Sequence, residues 1–125
     1  PDGTGVRDYI HVVDLAKAHV MAMKSLLAGA FDARFTVLNL GTGTPYSVRD
    51  VVTAFEAELG QDLPQKMGAR RAGDVSTLLA DPTAAERAIG WKAERDLPEM
   101  VRDAWRWAGA ARQWGLWDED DSTAP

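Results

Sequence analysis

Apolar and polar positions alternate with two different periods along this chain. Residues 9–13, Tyr-Ile-His-Val-Val, are β-branched and aromatic, which predicts a short strand, and Asp14 behind them can accept from the free N–H groups of a following helix. That helix is predicted over about residues 15–27. Its two apolar stripes, Leu15-Ala18-Ala22-Leu26 and Ala16-Val20-Met23-Leu27, leave a narrow polar edge at Lys17 and Lys24, the pattern of a helix covered on more than one side. Gly29 and Asp32 mark a turn. Residues 35–40 form a nearly continuous apolar run of the kind found in parallel, doubly covered strands, closed by Gly41-Thr42-Gly43. Ser47 then caps a helix whose apolar positions Val48, Val51, Val52, Phe55 and Leu59 recur at helical spacing until Gly60 stops it.

Periodicity weakens over residues 61–80, where short strands are predicted near 65–68 and 76–80 on either side of an Arg70-to-Asp74 loop. Asp81-Pro82 supplies an N-cap and a proline at the first helical position for a short helix to about residue 89, stopped by Gly90. Asp96-Leu97-Pro98-Glu99 repeats the signal for a last helix to about residue 113. Trp105 falls on a Val101-Trp105-Ala108 core stripe, whereas Trp107 and Trp114 lie on another face, as packing against a second surface would require. Strand, helix, strand and helix in this order predict an α/β fold, with a small mixed or parallel sheet and about four helices. Residues 1–117 make one folded region, and the acidic tail 118–125 is expected to be disordered.

Charge narrows the function classes. The chain has 14 basic and 19 acidic side chains, a net charge of −5, and Asp118, Glu119, Asp120 and Asp121 stand together in the tail, leaving the body nearly neutral. A nucleic acid partner is therefore not expected. A hydrophobic fraction of 46% over 125 residues, with five tryptophans, suffices for one packed core. The absence of cysteine removes disulfides, zinc-thiolate sites and thiol nucleophiles. No run approaches 18 uninterrupted apolar residues and no basic segment precedes an apolar one, so the expectation is a soluble, cytoplasmic protein without a membrane partner. The chain opens on Pro1 and its first element follows almost at once, so it reads as a piece of something longer.

Few constellations in the chain can carry chemistry. His11 and His19, eight residues apart without cysteine nearby, have no metal-ligand spacing, and each reads as a packed or hydrogen-bonded histidine. Residues 41–46, Gly-Thr-Gly-Thr-Pro-Tyr, lie where a dinucleotide-binding loop would sit, yet Tyr46 occupies the third glycine position, so a tight strand-to-helix turn is the better reading. Arg7, Arg71 and Asp74 sit in predicted loops. An arginine fork can grip two phosphate oxygens and a carboxylate can accept from vicinal hydroxyls, so the three could hold a nucleotide diphosphate; on spacing alone, solvated surface charges are the better reading.

Four strings shift that balance. GTGVRDYIHVVDLAKAHVMAM (3–23), VLNLGTGTPYSVRDVVTAFEAELG (37–60), RRAGDVSTLLAD (70–81) and WKAERDLPEMVRDAWRW (91–107) closely resemble, in order and spacing, the C-terminal, substrate-binding part of the UDP-glucose 4-epimerases, extended short-chain dehydrogenases/reductases. The resemblance implies that Arg7 and Arg71 grip the pyrophosphate of a UDP-sugar and that Asp74 holds the uridine ribose, with Tyr9 carried over from the motif it shares with Arg7. It also implies that intact members use NAD, held by a Rossmann half with a Tyr-x-x-x-Lys pair. The residue four after Tyr9 is Val13 and the residue four after Tyr46 is Asp50, so neither tyrosine forms that pair here. The expectation is therefore a chain with no catalytic residues, no cofactor-binding residues and no metal ligands, which is inactive alone. Some members carry tyrosine four residues after the ribose-binding acid, and Leu78 stands at that position. Partners expected on these grounds are UDP-glucose or UDP-galactose, the missing Rossmann half, or a second copy in a homodimer, through the 15–27 helix or the Trp107 face. The competing reading is a non-enzymatic module that binds a nucleotide or merely associates.

Overall fold

A computed structural model of the chain describes residues 2–31, 35–69 and 71–116; Asp32, Arg70 and the predicted acidic tail lie outside them. The described elements run β1 (Val6–Arg7), α1 (Val12–Leu27), β2 (Tyr46–Ser47), α2 (Val48–Leu59), β3 (Thr77–Leu78), α3 (Thr83–Ile89) and α4 (Leu97–Gln113). The three strands form one mixed sheet in the order β2-β1-β3. β1 runs antiparallel to β2, pairing Val6 with Ser47 and Arg7 with Tyr46, and parallel to β3, pairing Val6 with Thr77 and Arg7 with Leu78. Among the described residues the fold is thus α/β, with four helices and a small mixed sheet, as the pattern predicts.

Helices with local start and stop signals form where the sequence places them. α2 opens on a capping box in which the Ser47 hydroxyl accepts from the Asp50 N–H and the Asp50 carboxylate accepts from the Ser47 N–H, and α4 opens on the same device between Asp96 and Glu99. Gly60 and Gly90 end α2 and α3 in the left-handed conformation that glycine adopts without steric cost. α3 starts later than its Asp-Pro signal implies. Pro82 is its N-cap and makes no side-chain cap bond, while Asp81 bonds instead to the Thr83 N–H and hydroxyl.

Strands and core depart further from the pattern. The strand predicted at residues 9–13 is absent; pairing occurs at Val6–Arg7, and α1 begins at Val12. Its N-cap is His11, whose Nδ1 accepts from the Val13 N–H, so Asp14 is a first-turn residue and not the cap. Residues 35–40 carry no strand: Leu38 and Leu40 pack on the core, but Phe35 and Val37 are exposed and no neighbour among the described residues supplies a ladder. Residues 65–68 are likewise irregular, whereas β3 lies inside the predicted 76–80.

The main core gathers Ala18 of α1, Ala85 and Ile89 of α3, and Trp91, with Ile10, Met21, Phe31, Leu38 and Leu40 around them. Trp91, 2% exposed, is the tryptophan at the centre, and its indole N–H donates to the Asp14 carbonyl at 2.9 Å. Trp105 is nearly half-exposed, contrary to its place on the apolar stripe. Of α4, Leu97, Val101 and Ala111 are buried, so periodicity names the face and the reach of the packing partner decides which positions on it are covered. The second stripe of α1 is bare, with Val20, Met23 and Leu27 exposed, and Leu26 at the end of the first stripe is exposed as well.

Candidate functional site

β1 is the middle strand, so both of its edges feed the same place. Arg7 leaves β1 toward a cavity of about 610 Å³ lined also by Gly5, Tyr9, Val48, Arg71, Ala72, Gly73 and Asp74. All four residues singled out in the sequence, Arg7, Tyr9, Arg71 and Asp74, therefore meet at one cavity, although 62 residues separate Tyr9 from Arg71. Parallel pairing of β1 with β3 brings the 71–74 turn alongside, and that turn closes through the Asp74 N–H to the Arg71 carbonyl at 3.3 Å. Arg7 donates through one guanidinium nitrogen to the Val6 carbonyl at 2.7 Å and through the other to the Asp74 carboxylate in a salt bridge. Arg71 and Asp74 also border an adjoining cavity of about 330 Å³ with Gly3, Thr4, Gly68 and Ser76. Chemically, the site presents two guanidinium forks and a carboxylate to solvent at one opening, a donor and acceptor set matched to an anionic ligand that carries hydroxyls.

Asp8, which the sequence reading passed over, organises the far side of β1. Its Oδ1 accepts from the Thr42 N–H at 2.8 Å and the Thr42 hydroxyl at 2.6 Å, and its Oδ2 accepts from the N–H groups of Gly43 at 2.9 Å and Ala80 at 3.2 Å. Burial pushes this carboxyl up, but the hydrogen bonds from Thr42, Gly43 and Ala80 outweigh it and hold it below the ordinary carboxylate value. These bonds also test the 41–46 loop as a seat for NAD. The Thr42 and Gly43 N–H groups point at Asp8 and are not free for a pyrophosphate, so the loop does not fit a dinucleotide and acts as a turn. The signal available beforehand was an acid alternating with Arg7 next to an extended run, but its partners lie 34 to 72 residues away.

Tyr9 borders a second, apolar cavity of about 390 Å³ between α2 and α4, lined by Ile10, Phe55, Met100, Val101 and Trp107 among others. At its edge His11 is buried, with Nε2 3.1 Å from the Asp103 carboxylate. Because Nδ1 accepts from the Val13 N–H, Nε2 carries the proton and donates to Asp103. His19 is exposed and contacts the Leu15 carbonyl through Nδ1. Among the described residues no group of three or more His, Cys, Asp or Glu stands together to hold a metal ion, and no helix is long and apolar enough to cross a membrane.

Comparison with known proteins places this arrangement. The family model described as GDP-mannose 4,6 dehydratase matches residues 2–104. UDP-glucose 4-epimerase of Bacillus subtilis is 52% identical over 106 residues, 85% of this chain and 30% of that protein, and the human UDP-glucose 4-epimerase is 49% identical over the same length. Among solved structures, UDP-glucose 4-epimerase from Stenotrophomonas maltophila, with bound NAD and a formylated UDP-arabinopyranose, superposes with a TM-score of 0.80 at 46% identity, over 90% of this chain and 33% of that one. The Bifidobacterium longum enzyme, in complex with NAD+ and UDP, does so with a TM-score of 0.80 at 43% identity, over 90% and 32%. The chain thus spans about a third of the length of the relatives it matches. It belongs to the family of the GDP-mannose 4,6 dehydratase model, and within that family its sequence and fold are similar to a part of the UDP-glucose 4-epimerases.

Proposed function

We propose that this chain is the UDP-gripping part of a UDP-glucose 4-epimerase. In this reading Arg7 and Arg71 hold the pyrophosphate, Asp74 holds the ribose hydroxyls, and Tyr9 closes the side of the site facing α2. The observation that carries the reading is the convergence of those four residues on one open cavity from two distant stretches of chain. The Bifidobacterium relative, whose structure holds NAD+ and UDP, supports the ligand class. Bound NAD would supply hydride removal and return at C4 of the sugar, and that chemistry belongs to a Rossmann half outside these residues. This chain's own contribution is to orient the nucleotide. A bound diphosphate would take Arg7 from Asp74, leaving the carboxylate to turn toward hydroxyls, so the ligand-free ion pair keeps both groups satisfied until a nucleotide arrives.

Calorimetric titration with UDP tests the proposal. Binding is expected to be weak, since the pocket lacks the preorganisation of the other half. Arg71→Ala should weaken it about ten-fold, the loss expected for one charge-assisted contact. Equal affinity of wild type and Arg71→Ala would remove Arg71 from the role. With UDP-galactose and NAD the chain alone should show no turnover, because neither tyrosine is followed four residues later by lysine.

A further inference from the structure

We infer that Asp8 is a positioning residue for this grip, tying β1, β3 and the 41–43 loop together so that Asp74 stands beside Arg7 at the cavity. The inference rests on the UDP-binding reading above. β3 is an edge strand of two residues whose ladder, among the described residues, is to β1 alone. Asp74 lies three residues before it and Ala80 two residues after it. On one side the Val6 N–H donates to the Ser76 carbonyl at 2.8 Å; on the other the Ala80 N–H donates to Asp8. A ladder of two residue pairs extended by this one bond is short enough to pivot or slip, and a slip would move Asp74 with it. The second anchor removes that freedom. A carboxylate suits the task because its two oxygens together offer about four acceptor sites, and four donors meet it here. Gly41 completes the junction: a Cβ at that position would stand 2.5 Å from Asp8 Oδ2 and 2.6 Å from the Ala80 Cβ, so only glycine lets the three segments approach.

Asp8→Asn separates positioning from simple electrostatics by the sign of its effect. Removing a negative charge beside Arg7 should by itself strengthen binding of an anion. Turning an NH2 group onto backbone N–H donors should loosen the junction and weaken it. The expected result is UDP affinity about ten-fold lower, measured well below the thermal transition where both proteins are folded. In an Asp74→Ala background Asp8→Asn should cost nothing further, since its effect runs through the placement of Asp74. Gly41→Ala, which pushes Asp8 from Ala80, should reproduce both results. Should Asp8→Asn fail to fold, Thr42→Ala, which removes only one hydroxyl donor, and Gly41→Ala carry the test. Unchanged or tighter UDP binding in the folded variants, or full additivity with Asp74→Ala, would overturn the inference while leaving the UDP site standing. Absence of UDP binding by the wild type would instead remove the site and the inference together.

Discussion

Asp14 has no exposed surface, yet it is a carboxylate, and its partners explain how it is tolerated. Its Oδ2 accepts from the N–H groups of Glu94 at 2.9 Å and Arg95 at 2.8 Å, and its Oδ1 takes the Arg95 guanidinium. Burial drives the carboxyl up; the two amides and the guanidinium outweigh it, so it titrates below the ordinary 3.8. A depressed value in the folded state means that the ionised form stabilises the fold, fully above the unfolded value and progressively less as pH falls through the folded one. Stability toward urea should therefore be flat near neutrality and fall below about pH 4, and the fall should be shallower in Asp14→Asn. Asp14→Ala should cost about 3 kcal/mol at neutral pH, the low end for breaking a buried ion pair, because Arg95 keeps 27% of its side-chain surface in water. A loss under 1 kcal/mol in urea unfolding would refute that account. Nothing local in the sequence marks Asp14 for this role, since its partners lie 80 and 81 residues away.

Among the elements, α2 and α4 with their self-contained signals formed as predicted, whereas of the strands, which need a partner, only β3 fell within its predicted range. Ser47 and Asp50 are three residues apart and satisfy each other's backbone, so α2 was legible in four residues. The 35–40 run had the right composition for a strand, but a strand exists only where a neighbour presents its own ladder, and among the described residues none does. Ser47 yields a measurable consequence. Its side chain caps α2 and is also the largest influence that lowers Asp2 from 3.8 to about 2. Ser47→Ala should destabilise the protein by about 1 kcal/mol in thermal or urea unfolding. In the same variant the Asp2 carboxyl, followed by NMR titration, should move back toward its ordinary value, and an unmoved Asp2 would break the assigned link.

The molecule as a whole leaves apolar surface uncovered. Val20, Met23, Leu26 and Leu27 of α1 are exposed, as are Phe35 and Val37; Trp107 of α4 and Trp114, its C-cap, stack edge to face at 5.8 Å yet remain more than half exposed. Exposed large apolar side chains in such number are uncommon on stable monomers where they adjoin, so the chain by itself should self-associate, most simply as a symmetric dimer. Sedimentation equilibrium at micromolar concentration is the check, and a clean 13.6 kDa monomer would contradict the expectation. The same surface explains what was legible from the start. The limits of α2 and α4, the α/β class and the residues that line the cavity beside Arg7 were written in local signals and in ordered motifs, because caps, glycine stops and short strings act over a few residues. Which apolar stripe is covered, which tryptophan is central, which segment pairs as a strand, and that Asp8 and Asp14 bind distant segments together were decided only by the tertiary structure. Burial and strand pairing depend on a partner surface, and here that partner lies tens of residues away along the chain.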